Sequence, residues 1–324
     1  MRKVVVLGGY GFLGANVVEC FQHKGYQVEA CSRRSNVDAR SEKALYAYLE
    51  RAHPEILVHC AARVGGIAYN AQCPVAIFED NLLLGYTILR AAYRAGVQKL
   101  VNIMPNCTYP GEMELYSELR WWDGPMHPTV LTYGMPRKAL WVQAWAYQQE
   151  RGFRSIHLVL PNLYGPRDHF DIVRSHALGA LIRKVIDAKQ QGQHGVEVWG
   201  TGNPVREWMY VEDAAEGIVV ATERYECIEI LNLGSGKGCS VRELAEMVRK
   251  AADWHGEFVY DTSRPDGAPV KILDVSRMRV ALDGWEPRTK LRAGIARTVH
   301  WYLAQPDELH APQAVERAHQ SAGG

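Results

Sequence analysis

Three glycines at a spacing of three are the first residues in this chain that suggest a chemistry. Val4 to Leu7 runs straight into Gly8-Gly9-Tyr10-Gly11-Phe12-Leu13-Gly14, with glycine at 8, 11 and 14. Without side chains, a turn between strand and helix can be tight. Its backbone can then approach a pyrophosphate held at the positive end of the helix. Gly8, Gly11, Phe12 and Leu13 are therefore expected to lie along a dinucleotide. The second strand ends at Cys31-Ser32-Arg33-Arg34. An NAD site usually carries an acid there for the ribose 2′-hydroxyl, whereas Arg33 and Arg34 suit a 2′-phosphate. The expected cofactor is NADP(H); two solvated surface arginines are the plain alternative.

These groups need a scaffold, and the pattern supplies one. Short apolar runs at 3–7, 27–31, 56–60, 100–104 and 155–160 read as buried strands. Between them, 16–24, 42–51, 75–94 and 136–151 read as helices, with Gly25 and Gly96 as stops. Strands separated by helices imply right-handed crossovers, hence an α/β fold with a Rossmann-type doubly wound parallel sheet. From Tyr164 the pattern loosens into proline, glycine and aromatic residues. Residues 1–165 with about 205–235 are expected to form the dinucleotide domain, 205–224 returning to it as a strand and a helix. About 166–204 with 236–310 would form a smaller, interleaved α/β substrate lobe, and 311–324 a loose tail.

The 324 residues carry a net charge of +1, which gives no reason to expect nucleic acid or an anionic membrane as partner. No apolar run approaches the roughly 20 residues of a bilayer span, and Val4 to Leu7 is too short for a signal peptide. A cytoplasmic protein is expected. The 7 cysteines are scattered with no CxxC pair, which speaks against a disulfide framework and against a metal site.

Further segments carry a resemblance. They are His59-Cys60-Ala61-Ala62-Arg63-Val64-Gly65-Gly66-Ile67, then Asn70 and Asn81, Cys107-Thr108-Tyr109-Pro110, and Tyr133. Later come Pro161-Asn162-Leu163-Tyr164-Gly165-Pro166-Arg167-Asp168, Ser175-His176, Val198-Trp199-Gly200-Thr201-Gly202 and Arg206-Glu207. Val211-Glu212-Asp213, Arg264-Pro265-Asp266-Gly267 and Lys271-Ile272-Leu273-Asp274 close the series. In order and spacing the chain resembles the GDP-L-fucose synthases, extended short-chain dehydrogenases/reductases that epimerise and reduce a GDP-linked 4-keto sugar. The resemblance runs from Lys3 to about Leu303. It implies that Ala61, Ala62 and Asn81 lie along the cofactor and that Asn162 and Trp199 contact the sugar nucleotide. It further implies that Lys184 and Arg206 hold the diphosphate, with Asp266 and Lys271 as further substrate contacts. A dianionic diphosphate calls for fixed cations in any case.

The same resemblance assigns the catalysts. Tyr133 matches the family tyrosine that handles the proton at the carbonyl oxygen, and Cys107 and His176 match the pair that moves protons at C3 and C5. A cysteine and a histidine both reach useful pKa values once perturbed. Two positions depart from the pattern. The family lysine stands four residues after the tyrosine, where this chain has Arg137, with Lys138 next. On a helix, i+4 lies about 40° from residue i and i+5 about 140° round. Arg137 is therefore expected beside Tyr133 and the cofactor ribose, and Lys138 elsewhere. Arginine keeps the charge but not the shape of an ammonium. The family serine is replaced by Pro105, which has no hydroxyl. Along an extended strand 105 and 107 share a face, so neither Asn106 nor Thr108 is an automatic substitute.

Three readings stay open: an enzyme that epimerises and/or reduces the sugar, one that epimerises alone, and an NADP-binding sensor or scaffold without turnover. The helices at 75–94 and 136–151 are apolar on more than one face, with Trp141, Trp145 and Tyr147 in the second. In the family the matching helices pair across a homodimer, which is expected here. The alternative is that the second lobe covers them.

Overall fold

The computed structural model describes residues 2–171, 175, 177–264 and 266–305. Along the chain run β1 (Lys3–Leu7), α1 (Phe12–His23), β2 (Gln27–Cys31), α2 (Glu42–Ala52), β3 (Ile56–His59), α3 (Ile67–Gln72), α4 (Pro74–Arg94) and β4 (Lys99–Pro105). They are followed by β5 (Leu115–Tyr116), α5 (Leu131–Arg151), β6 (Arg154–Leu160), β7 (Asn162–Tyr164), α6 (Ala177–Gln190), β8 (Gly195–Trp199), β9 (Val205–Tyr210) and α7 (Val211–Arg224). The last elements are β10 (Ile230–Asn232), β11 (Gly238–Ser240), α8 (Val241–Ala251), β12 (Glu257–Asp261), β13 (Val270–Leu273), α9 (Ser276–Ala281) and α10 (Leu291–Leu303).

Six of the described strands form one parallel sheet in the order β2-β1-β3-β4-β6-β10. Alternation along β1 explains its two covered faces. Val4 and Val6 enter a core with Val17, Phe21 and Ile218 of α1 and α7. Val5 and Leu7 enter another with Leu45, Leu49, Ile88 and Leu140 of α2, α4 and α5. The strand order reverses between β1 and β3, and in doubly wound sheets ligands bind in the crevice at such a switch point, beyond the carboxyl ends of the strands.

A second unit sits over that edge. Its sheet runs β11-β9-β13-β5 with β7 on β9, β12 pairs with β8, and α6, α8 and α10 share a separate apolar core. Two expectations change here. The strand at Val205–Tyr210 belongs to this second sheet, and only α7 and β10 of the 205–235 stretch join the first. The exchange is possible because β9 is followed directly by α7. The helix expected to open at 136 begins at Leu131, after a 3₁₀ turn at Pro128–Val130. Pro136 is thus inside α5, where it can make no bond to the carbonyl of Thr132 and costs one rung of the ladder. The expected tail at 311–324 lies outside the described residues.

Candidate functional site

The glycine turn is built as its composition demands. Gly8 has φ +79°, and a Cβ there would stand 2.8 Å from the backbone nitrogen of Ala61. A Cβ on Gly14 would stand 2.1 Å from the Gly8 carbonyl oxygen. Only glycine lets β1, α1 and the β3 loop meet at the switch point, with Phe12 and Leu13 opening α1. At the end of β2, Ser32 caps a 3₁₀ turn and accepts from the Arg34 N–H at 3.0 Å. The Arg33 and Arg34 side chains are exposed, and neither guanidinium makes a hydrogen bond or ion pair among the described residues. A backbone cradle beside two uncommitted cations fits a dinucleotide carrying a 2′-phosphate.

The loop after β3 is held from α4. Asn81 donates to the Arg63 carbonyl (2.9 Å) and to Ile77 (2.7 Å), and accepts from the Arg63 N–H at 3.1 Å. Asp80 takes both Arg40 and Arg63 at 2.8 Å. These bonds hold Arg63, and so the chain that follows Ala61 and Ala62, at the carboxyl end of β3. Further on, Asn70 donates to the carbonyls of Gly65 and Gly66 (2.9 and 3.0 Å).

Tyr133 and Arg137 lie one turn apart on α5, with the guanidinium carbon 5.8 Å from the phenol ring centroid. Arg137 is buried and donates to Nε2 of His59 at 2.9 Å and to the Ala61 carbonyl at 3.1 Å, with Asn81 Oδ1 at 3.4 Å. Lys138 points away. Its Nζ donates to the Trp121 carbonyl at 2.6 Å and stands between the rings of Trp121 and Trp122. Burial lowers this ammonium to about 8. Burial also raises the Tyr133 hydroxyl, and Arg137 offsets part of that rise.

Strand β4 ends at Pro105, and 106–108 form a 3₁₀ turn, so strand alternation stops short of Cys107. The Thr108 hydroxyl is committed, donating to the Pro105 carbonyl (2.9 Å) and accepting from Trp121 Nε1 (3.0 Å). Asn106 is buried, and its Nδ2 has no partner among the described residues. Burial pushes the Cys107 thiol up to about 11, while Lys271 and Arg137 pull it down. Lys271 is itself lowered by burial, with Cys107 opposing and Arg206 adding to the shift. Tyr133 and Tyr116 feel the same thiol. Lys271 and Arg206 are register partners on β13 and β9. The second sheet therefore brings its cations to the end of β4, where Cys107 and Tyr133 stand.

The remaining expected residues sit on the rim of the second unit. Trp199 is 54% exposed at the end of β8, with Arg264 5.0 Å and Lys184 6.0 Å from its ring centroid. Lys184 also donates to the Glu197 carbonyl at 3.0 Å. The Asp266 carboxylate is occupied by the Thr201 N–H and hydroxyl, both at 2.7 Å, and the Asp266 backbone carbonyl lies 3.5 Å from Arg206. Asn162 donates to the Glu207 carbonyl at 3.1 Å. His176 lies outside the described residues; the carbonyl of its neighbour Ser175 would meet a Cβ on Gly66 at 2.9 Å.

Two residues of weight received no role from the sequence. One is His59. The other is Glu207, whose buried carboxylate accepts from the N–H groups of Ser235 (2.5 Å), Gly236 (2.9 Å) and Leu273 (2.8 Å). It locks β9 to β13 and to the loop after β10. A lone carboxylate beside Arg206 in an otherwise apolar strand was the available signal. Among the described residues no cluster of His, Cys, Asp or Glu could hold a metal, and no helix is long and apolar enough to cross a membrane.

The profile of the NAD dependent epimerase/dehydratase family matches residues 4–234. GDP-L-fucose synthase 1 of Arabidopsis thaliana is 33% identical over 302 residues, covering 93% of each chain. GDP-L-fucose synthase of Escherichia coli K12 is 31% identical over 319 residues, covering 95% of this chain and 98% of the relative. Among solved structures, a GDP-L-fucose synthetase from Naegleria fowleri bound to NADP superposes with a TM-score of 0.86 at 25% identity, over 96% of this chain and 95% of that one.

Proposed function

The chain belongs to the NAD dependent epimerase/dehydratase family, and from that premise we propose that it is an NADP(H)-binding enzyme that epimerises and reduces a GDP-linked 4-keto sugar. The convergence of Tyr133, Arg137, Cys107, Lys271 and Arg206 at the carboxyl end of β4 carries this reading.

Gly8, Gly11, Phe12, Leu13, Ala61 and Ala62 would hold the dinucleotide, Asn81 would brace the loop, and Arg33 and Arg34 would hold the 2′-phosphate. When bound, NADPH supplies the hydride for C4. The Tyr133 phenol, kept protonated by burial, gives its proton to the 4-oxygen, and the Arg137 cation stabilises the phenolate left behind. A 4-keto group acidifies the protons on C3 and C5. Cys107 moves one of them, with Lys271 favouring the thiolate; His176 is the proposed partner on the opposite face. Arg206 and Lys184 hold the diphosphate, while Trp199, flanked by two cations, offers a flat surface to the nucleotide. Asn162, Asp266 and Lys271 complete the sugar-nucleotide contacts, Asp266 by shaping the Gly200–Thr201 turn.

The exposed apolar residues of α4 (Val75, Leu82, Leu83, Tyr86) and α5 (Leu131, Met135, Val142, Trp145) fit a homodimer joined through these two helices.

A second reading is proton exchange without reduction. It is favoured by Pro105, with no hydroxyl to offer, and by Thr108, whose hydroxyl is committed. One experiment separates the two. The protein is incubated with a GDP-4-keto-6-deoxy sugar in D₂O, with and without NADPH. Deuterium at C3 or C5 together with NADPH oxidation supports the main reading, and deuterium alone supports the second. Tight NADPH binding with neither would leave a binding protein without turnover on this substrate class.

A further inference from the structure

The Arg137 guanidinium ends on an imidazole, which is an unusual acceptor for it, and that imidazole belongs to a buried polar row. His59 of β3 is the register partner of Asn102 on β4, which in turn is the partner of His157 on β6. All three side chains are fully buried. Register partners on parallel strands project to the same face of the sheet. Asn102 Nδ2 lies 3.1 Å from His157 Nδ1, and His157 Nε2 lies 3.1 Å from the Ser155 hydroxyl.

The donors fix the tautomers. A guanidinium only donates, so His59 Nε2 accepts and its proton sits on Nδ1. An amide nitrogen only donates, so His157 Nδ1 accepts and its proton sits on Nε2. Burial keeps both rings neutral: His59, also beside Arg137, titrates well below its ordinary value, and His157 is pushed down to about 3. Two buried atoms of the row are left without a partner among the described residues, His59 Nδ1 and Asn102 Oδ1. One is a donor and the other an acceptor, on neighbouring strands. No hydrogen bond joins His59 to Asn102, so the row consists of two bonded segments, Arg137–His59 and Asn102–His157–Ser155, on strands in register.

We propose that His59, fully buried at the end of β3, is the positioning residue that holds the Arg137 guanidinium beside Tyr133. A planar guanidinium is larger than the ammonium it replaces and needs an acceptor at its far edge to stay in register with the phenol. His59 supplies that acceptor, while Ala61 and Asn81 take the other nitrogen. The inference rests on the reading of Tyr133 as proton donor for the hydride step.

The test has two arms. On the protein alone, nitrogen-15 NMR of histidine-labelled material should show, among the 12 histidines, one neutral ring protonated on Nδ1 that disappears in His59→Gln. Its shift should move in Arg137→Lys. A His59 protonated on Nε2, or one blind to Arg137→Lys, overturns the proposal even if the enzyme turns over no GDP-keto sugar; failure of turnover alone overturns only the proposed function. In the kinetic arm, His59→Leu should lower kcat for reduction on the order of 10- to 100-fold with KM for the sugar nucleotide changed less than about twofold. His59→Gln, whose carbonyl oxygen can accept, should recover most of the loss and also serves if the leucine variant does not fold. In an Arg137→Lys background the leucine change should add nothing further; an equal loss in both backgrounds would make His59 a packing residue only.

Discussion

The Arg137 guanidinium carbon lies 5.8 Å from the centroid of the Tyr133 ring, one helical turn along α5. The guanidinium keeps a positive charge beside the phenol and is also tied to His59 and to the Ala61 carbonyl. Arg137 therefore acts on the phenol from a fixed position, and the consequences can be measured.

Tyr133→Phe should lower the rate of 4-keto reduction about 10²- to 10⁴-fold while leaving NADPH binding intact by fluorescence titration. The Tyr133 hydroxyl is raised by burial, with Arg137 opposing. Its acid form is then the form present at neutrality, so the Tyr133-dependent step should be flat through neutral pH and fall only above about pH 10. A fall beginning near neutrality would show a different acid.

Cys107 behaves in the opposite sense. Burial sets its thiol at about 11, against the pull of Lys271 and Arg137. If the thiolate is the base at C3 or C5, deuterium incorporation should rise about tenfold per pH unit below that value. Lys271→Met should raise the thiol further and slow exchange at any given pH, and Cys107→Ser should abolish exchange assigned to this residue. An exchange rate that ignores Lys271 would remove the lysine from the mechanism.

Arg33 and Arg34 lie exposed at the end of β2 with no ion-pair partner among the described residues. Changing both to alanine should weaken NADPH binding by roughly 10- to 100-fold, the worth of one or two charge-assisted hydrogen bonds. Binding of NADH should hardly change. Calorimetry with both cofactors distinguishes this from a general loss of the site.

Leu83 and Trp145 are 45% and 46% exposed on α4 and α5. Leu83→Glu with Trp145→Glu should turn a homodimer into a monomer by sedimentation equilibrium, with far-UV circular dichroism unchanged. A wild-type protein that already sediments as a monomer would remove the dimer.

Glu207→Ala would leave the N–H groups of Ser235, Gly236 and Leu273 without their acceptor. Unfolding free energy in urea should drop by at least about 3 kcal/mol. A smaller loss would mean that these donors find other acceptors.

What the sequence determined by itself was whatever rests on local spacing. The glycines at 8, 11 and 14 marked the turn between β1 and α1, and at 8 and 14 no side chain fits. The apolar runs placed five of the six strands of the first sheet, all but Ile230–Asn232, and helical geometry put Arg137 rather than Lys138 beside Tyr133. Tertiary structure decided what depends on partners far along the chain. It moved Val205–Tyr210 into the second sheet, because strand pairing is a choice between distant edges that one strand's pattern does not encode. It brought Lys271 and Arg206 to Cys107 across gaps of more than a hundred and about a hundred residues, respectively. It also revealed the row from His59 through Asn102 to His157, which exists only because three parallel strands lie in one register. None of its members received a role from the sequence, because the pattern of a single strand does not show which residues face it on its neighbours.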